Sequence, residues 1–145
     1  MNLPEIKIKV TLKKGDKINI GKSQDAFDVI KKLMSEDTLY WTEEMILLAV
    51  NRQNEVYGWY RLSTGGTVGT IVDAKVVFTI LLNAGASAFI IAHNHPSQTM
   101  KASQADIEIT KQLKEAGELL DISLLDHIIV AGESYLSMAD DNIIF

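Results

Sequence analysis

Of the three histidines in this 145-residue chain, His93 and His95 stand one residue apart, where the apolar run Ala86–Ala92 stops. On an extended chain, residues i and i+2 project to one face, roughly 6.5–7 Å apart. Two imidazoles can converge from there onto one metal ion at about 2.0–2.1 Å each. Asp106 supplies a candidate third ligand, because Ser103-Gln-Ala-Asp106 reads as the first turn of a helix. Two histidines and one carboxylate leave a fourth tetrahedral position for water, the pattern of a catalytic zinc site. The same Ser103-x-x-Asp106 spacing also reads as a capping box, serine accepting from the helix N-terminus and aspartate reaching back. The two readings are compatible, since a capping serine can still face a metal-bound water.

These side chains need rigid elements behind them. Met45–Val50 is continuously apolar and reads as a central strand opened by Trp41-Thr-Glu-Glu44, with a turn at 51–54 and a partner strand over Glu55–Leu62. Ser63–Thr67 reads as a loop. Val72, Val76, Ile80 and Leu81 recur at helical spacing, so a helix is expected over Val72–Asn83. Ala86–Ala92 is expected as a second buried strand, followed by a helix over Ser103–Ala116 closed by Gly117. Ile122–Val130 and Tyr135–Met138 read as strands around a turn at 131–134. Upstream, Glu5–Leu12 alternates, with Ile6, Ile8, Val10 and Leu12 on one face. With Gly15-Asp16 as a turn and Lys17–Ile20 as return strand, a hairpin is expected, then a helix capped by Ser23 and running to Met34. The expected fold class is α/β, a mixed sheet flanked by helices. Residues 1–40 form the hairpin and helix of the same compact unit, and residues 41–145 the part that carries the chemistry.

Composition limits the alternatives. A chain of 145 residues with 47% hydrophobic and 23% charged residues fits one globular domain. It has no cysteine, which excludes disulfides and thiolate zinc ligands. Any metal must be held by imidazole and carboxylate. No stretch is long enough to span a bilayer and the N-terminus lacks the pattern of a signal peptide, so a cytoplasmic protein is expected. The net charge of −5 and only two arginines, Arg52 and Arg61, argue against a dedicated nucleic-acid surface. Lys13, Lys14, Lys17 and Lys22 could form a local basic cluster.

The segment His93-Asn-His95-Pro-Ser-Gln-Thr-Met-Lys-Ala-Ser103-Gln-Ala-Asp106 resembles the JAMM (MPN-domain) metalloenzyme pattern: H-x-H, seven residues, Ser, two residues, Asp. HNHPS, the preceding NAGASAFIIA and the later LLDHIIV are similar to the RadC branch of that family. The likeness runs from Trp41 to Met138. It implies the three-layer, cytidine-deaminase-like JAMM/MPN architecture and a zinc hydrolase, with Zn2+ on His93, His95 and Asp106. It also implies an upstream glutamate as general base. The residues alone leave Glu43 and Glu44 open: neighbours on a strand point to opposite faces, so only one can see the metal. The RadC branch places its glutamate eight residues before a turn-opening aspartate, and Asn51 stands at that turn position here, which selects Glu43. Gln98 and Ala102 depart from the glycine and proline usual in the branch, and a changed loop is expected from them.

The chemistry implied is hydrolysis of an amide, peptide or isopeptide bond, with Glu43 moving the proton and Ser103 binding the oxyanion. Nucleobase deamination also uses zinc and a glutamate, but with cysteine ligands, and none exist here. Two competing readings are a RadC-like accessory to DNA repair and a non-catalytic MPN interaction module. Longer RadC proteins carry a helix-hairpin-helix region, whereas residues 1–40 read as hairpin plus helix, which weakens the DNA reading. Asp126-His127 reads first as a buried structural pair and second as support for the metal ligands. Asn94 and Ser97 read as loop formers. Trp41, Trp59 and Tyr60 read as core or edge packing.

Overall fold

The computed structural model describes residues 1–65 and 72–145. Its centre is a mixed six-stranded sheet in the order β1-β3-β2-β4-β5-β6. The strands are β1 (Ile18–Asn19), β2 (Glu44–Val50), β3 (Glu55–Thr64), β4 (Ala88–Asn94), β5 (Ser123–Ala131) and β6 (Ser134–Ser137). Three helices cover it: α1 (Ser23–Leu33), α2 (Ala74–Ala84) and α3 (Gln104–Leu119). β4 and β5 run parallel, joined by the α3 crossover, and the other neighbouring pairs are antiparallel.

The central strands are buried on both faces, and period-two alternation divides their side chains between two cores. Ile46, Leu48 and Val50 of β2, Ile90 and Ala92 of β4, and Ile128 and Val130 of β5 pack with Phe27 and Ile30 of α1. Met45, Leu47 and Ala49, with Phe89 and Ile91, pack instead with Val77 and Leu81 of α2 and Leu113 of α3. The result is an α/β/α sandwich. Odd-numbered residues of β2 and β4 face α2 and α3, and even-numbered ones face α1. That parity decides where each polar residue at the strand ends is aimed.

The expected N-terminal hairpin does not form. Residues 1–17 carry no strand, and only Ile18 and Asn19 pair, with Val56 and Glu55 of β3. Ile6 and Ile8 remain 88% and 70% exposed. Alternation supplies an apolar face, but a lone hairpin with nothing to bury it against is marginal. The segment instead lies beside β3 and α2, leaving a groove of about 340 Å³ lined by Ile8, Val10, Leu12, Trp59 and Ile80. Ser23 is the first residue of α1 and not its cap; Lys22 holds the cap position. Asp25 accepts from the backbone N–H groups of Gly21 and Lys22, while the Ser23 hydroxyl donates to Asp140 at 2.5 Å. β3 runs through Ser63 and Thr64 where a loop is expected; Gly65 lies beyond the strand, and residues 66–67 of that expected loop fall outside the described residues.

α3 also passes through Gly117 instead of ending at it. A Cβ at that position would sit 2.2 Å from the Ile122 carbonyl oxygen and 3.2 Å from the Phe89 ring. Gly117 is there to let α3 close on β5, which fixes the depth at which the helix sits on the sheet. Gly117→Ala gains helix propensity, about 1 kcal/mol, but overpacking costs more. The expected net loss is about 2–3 kcal/mol, seen as a fall in Tm of about 5–10 °C in thermal unfolding.

Candidate metal centre

His93 and His95 lie at the C-terminal end of β4 and, by parity, aim at the face covered by α3. His93 is 1% exposed; His95, just beyond the strand, is partly buried. α3 begins over this strand end and brings Asp106 to both rings. Its Oδ1 lies 3.1 Å from His93 Nε2 and its Oδ2 lies 3.2 Å from His95 Nε2. The two Nε2 atoms are 3.0 Å apart. A tetrahedral ion with bonds of 2.0–2.1 Å has ligand atoms about 3.3 Å apart, so these three residues fit such an ion with little movement. Among the described residues, His93, His95 and Asp106 form the group able to hold a metal.

Protonation supports the fit. His95 Nδ1 lies 2.9 Å from the Thr99 carbonyl oxygen, which can only accept. Nδ1 therefore carries a proton, and Nε2 is the ring atom turned to the centre. Burial pushes the Asp106 carboxyl up, but hydrogen bonds from His93 and His95 outweigh it and hold it well below the usual carboxylate range. The hydrogen bond to Asp106 raises His95, against the opposing effect of burial, with Glu43 adding to the rise. The site is thus an ionised carboxylate facing two imidazoles before any cation arrives.

Ser103 and Asp106 also form the capping box. Ser103 Oγ accepts from Asp106 N–H at 3.1 Å, and Asp106 Oδ2 accepts from Ser103 N–H at 2.8 Å. The cap does not compete with the site; it stiffens the carboxylate that faces the imidazoles. Because Ser103 Oγ accepts in the cap, its own proton is free to donate outward.

The two glutamates separate by parity. Glu44 is 4% exposed and turns toward α1, where Ser35 N–H donates to Oε1 at 3.0 Å and Arg61 Nε pairs with Oε2 at 2.9 Å. Glu43 precedes β2 by one residue and lies on the face of Met45, which pairs with His93. It lines an open cleft of about 630 Å³ together with His95, Ser97, Lys101, Ser103 and Ile107.

Three further residues carry more than their sequence suggested. Asn94 is fully buried. Its Oδ1 accepts from Glu44 N–H at 2.8 Å, and its Nδ2 donates to the carbonyls of Leu39 at 2.7 Å and Thr42 at 2.9 Å. It therefore clamps the loop that presents Glu43. His127, on β5, meets His93 Nδ1 through Nε2 at 2.7 Å and Thr110 Oγ1 through Nδ1 at 2.6 Å. Burial, then the neighbouring His93, holds His127 well below its ordinary value, so it is neutral. No spacing signal links residues 93, 110 and 127. Asp126 takes no part in the centre; it accepts from His127 N–H, Ala139 N–H and the Ser137 hydroxyl. Trp41 is 74% exposed, not packed as expected, whereas Trp59 and Tyr60 lie half-exposed on β3 with the Arg61 guanidinium over the Trp59 ring.

The model of the RadC-like JAB domain matches residues 20–143. The chain belongs to the RadC-like JAB domain family. The α/β sandwich is the JAB/MPN-type fold. Family members similar to this chain include a UPF0758 protein of Flavobacterium johnsoniae, 43% identical over 124 residues, covering 86% of this chain and 53% of that protein. A UPF0758 protein of Alkaliphilus metalliredigens is 38% identical over 114 residues, 78% of this chain and 49% of the relative. One of Listeria monocytogenes is 32% identical over 140 residues, 92% of this chain and 62% of the relative. The chain thus spans about half the length of the first two relatives and somewhat more of the third. Gln98, where the resemblance implies a glycine, has φ +63°, a left-handed conformation that glycine adopts without strain. Among the described residues, no helix is long and apolar enough to cross a membrane.

Proposed function

We propose that this RadC-like JAB domain is a zinc-dependent hydrolase that cleaves amide bonds in peptides or isopeptides, in the cytoplasm. The observation that carries the reading is the meeting of His93, His95 and Asp106, atoms 3.0–3.2 Å apart, behind a cleft bordered by Glu43 and Ser103. Held by those three residues, Zn2+ would supply Lewis acidity toward a substrate carbonyl and lower the pKa of a water toward about 7. Glu43, on the cleft wall, accepts a proton from water and returns it to the leaving amine. Ser103, with its hydroxyl proton uncommitted by the cap, donates to the oxyanion that forms on the former carbonyl oxygen.

Elemental analysis of the purified protein tests the metal. About one zinc per chain is expected in the wild type and none in His95→Ala, with both proteins folded by circular dichroism. Peptide, isopeptide-linked and DNA substrates, each assayed with Glu43→Gln as control, test the bond. Cleavage of DNA alone, or zinc retained in His95→Ala, would sink the reading.

A further inference from the structure

We propose that Thr110 and His127 form a hydrogen-bonded relay that keeps a proton on His93 Nδ1 and so leaves Nε2, the ring atom facing Asp106 and His95, for the metal, making them positioning residues for the metal centre. The inference deepens the metal reading above and rests on it.

The direction of the relay follows from its last link. Thr110 Oγ1 lies 2.5 Å from the Asp106 carbonyl oxygen. A carbonyl can only accept, so the single hydroxyl proton of Thr110 points there. Toward His127, 2.6 Å away, Thr110 must therefore accept, and His127 Nδ1 carries the proton. His127 is completely buried with no charged partner on its ring, so it is neutral and its Nε2 is an acceptor. That atom lies 2.7 Å from His93 Nδ1, which must then donate. His93 Nδ1 thereby carries a proton, and Nε2 is the ring atom left to face the Asp106 carboxylate and His95. Each link leaves the next one choice.

The relay also joins the two elements that bear the ligands. It starts on β4, crosses to β5 and ends on the backbone of Asp106 in the first turn of α3. Any buried histidine needs partners at its ring nitrogens; what ties this one to the centre is that one partner is His93 and the other is a threonine whose hydroxyl returns to the residue bearing the third candidate ligand. Removing the Thr110 hydroxyl frees His127 to take the opposite tautomer, donate from Nε2 to His93 Nδ1, and move the His93 proton to Nε2.

Two measurements test this without reference to turnover. In metal-free, 15N-histidine-labelled wild type, long-range 1H–15N spectra should show His93 protonated on Nδ1. In Thr110→Val, nearly the same shape, His93 should shift toward the Nε2–H tautomer, and Thr110→Ser should restore it. Zinc affinity, measured against a competing chelator, should fall about 10–100-fold in Thr110→Val and in His127→Phe, and recover in Thr110→Ser. The spectrum of the wild type keeps the proposal testable even if His127→Phe does not fold. Wild-type affinity in Thr110→Val, or a His93 Nδ1 without a proton in the wild type, overturns the relay and leaves the metal reading standing. A wild type that takes up no zinc overturns both.

Discussion

Glu43→Gln is expected to lower kcat on a cleaved peptide or isopeptide by about 10²–10⁴-fold while zinc content and Tm stay at wild-type values. The expectation combines position and isolation. Glu43 borders the cleft beside His95 and Ser103, so it can meet a water or leaving amine there. It makes no ion pair or side-chain hydrogen bond among the described residues, so the fold does not depend on its charge. Glutamine keeps the shape and loses the ability to take a proton. Glu44→Gln supplies the contrast. It removes the charge that Arg61 and Ser35 N–H address from the α1 side, so it should lower Tm and leave zinc binding intact. Steady-state kinetics beside thermal unfolding separates the two. Equal loss of turnover in both variants, with Glu43→Gln also less stable, would remove Glu43 from the chemistry.

The contrast between these neighbours shows how far the sequence could be read. Strand parity predicts that only one of Glu43 and Glu44 faces His93, but which one depends on the sheet's register and on the helix covering each face. Those are tertiary facts: Met45 pairs with His93, and α3 covers that side. His93, His95, Ser103 and Asp106 are legible because they are local, two on one strand end and two in one helical turn. The apolar runs of β2, β4 and β5 are legible because both faces are buried and the pattern is unbroken. Residues 5–12 mislead for the opposite reason. Their alternation is clear, but pairing needs a partner edge and a surface to bury, and β3 offers β1 only a two-residue ladder. His127 and Thr110 could not be found from spacing, because their roles arise when β5 aligns beside β4 and Ile91 pairs with His127. Gly117 was read as a helix end, since a glycine required by close approach to Ile122 looks the same in sequence as a helix-ending one.

Asn94 reads from the sequence as a loop former but is the buried last residue of β4, and the second large effect is expected from it. It stands between the two histidines and, by parity, points away from them, to the α1 side. There it makes three hydrogen bonds to the backbone of residues 39–44. Asn94→Ala leaves one N–H and two carbonyl groups without that partner, each costing about 1–3 kcal/mol when buried. The expected total loss is about 3–5 kcal/mol, since partial rearrangement and entry of water recover part of it. Asn94→Asp separates stability from positioning. It keeps an oxygen for Glu44 N–H but replaces two N–H donors by a carboxylate oxygen facing two carbonyls. The loop from Leu39 to Thr42 should then release, and Glu43 with it. In chemical denaturation both variants should show a lower midpoint with an unchanged slope. In zinc titration Asn94→Asp should keep its metal, because His93, His95 and Asp106 are held from β4 and α3. Its turnover should nonetheless fall toward that of Glu43→Gln, since the same carboxylate has been moved out of reach. If Asn94→Asp instead hydrolyses substrate at the wild-type rate, the clamp on residues 39–44 is structural alone, and Glu43 is placed by β2 without it.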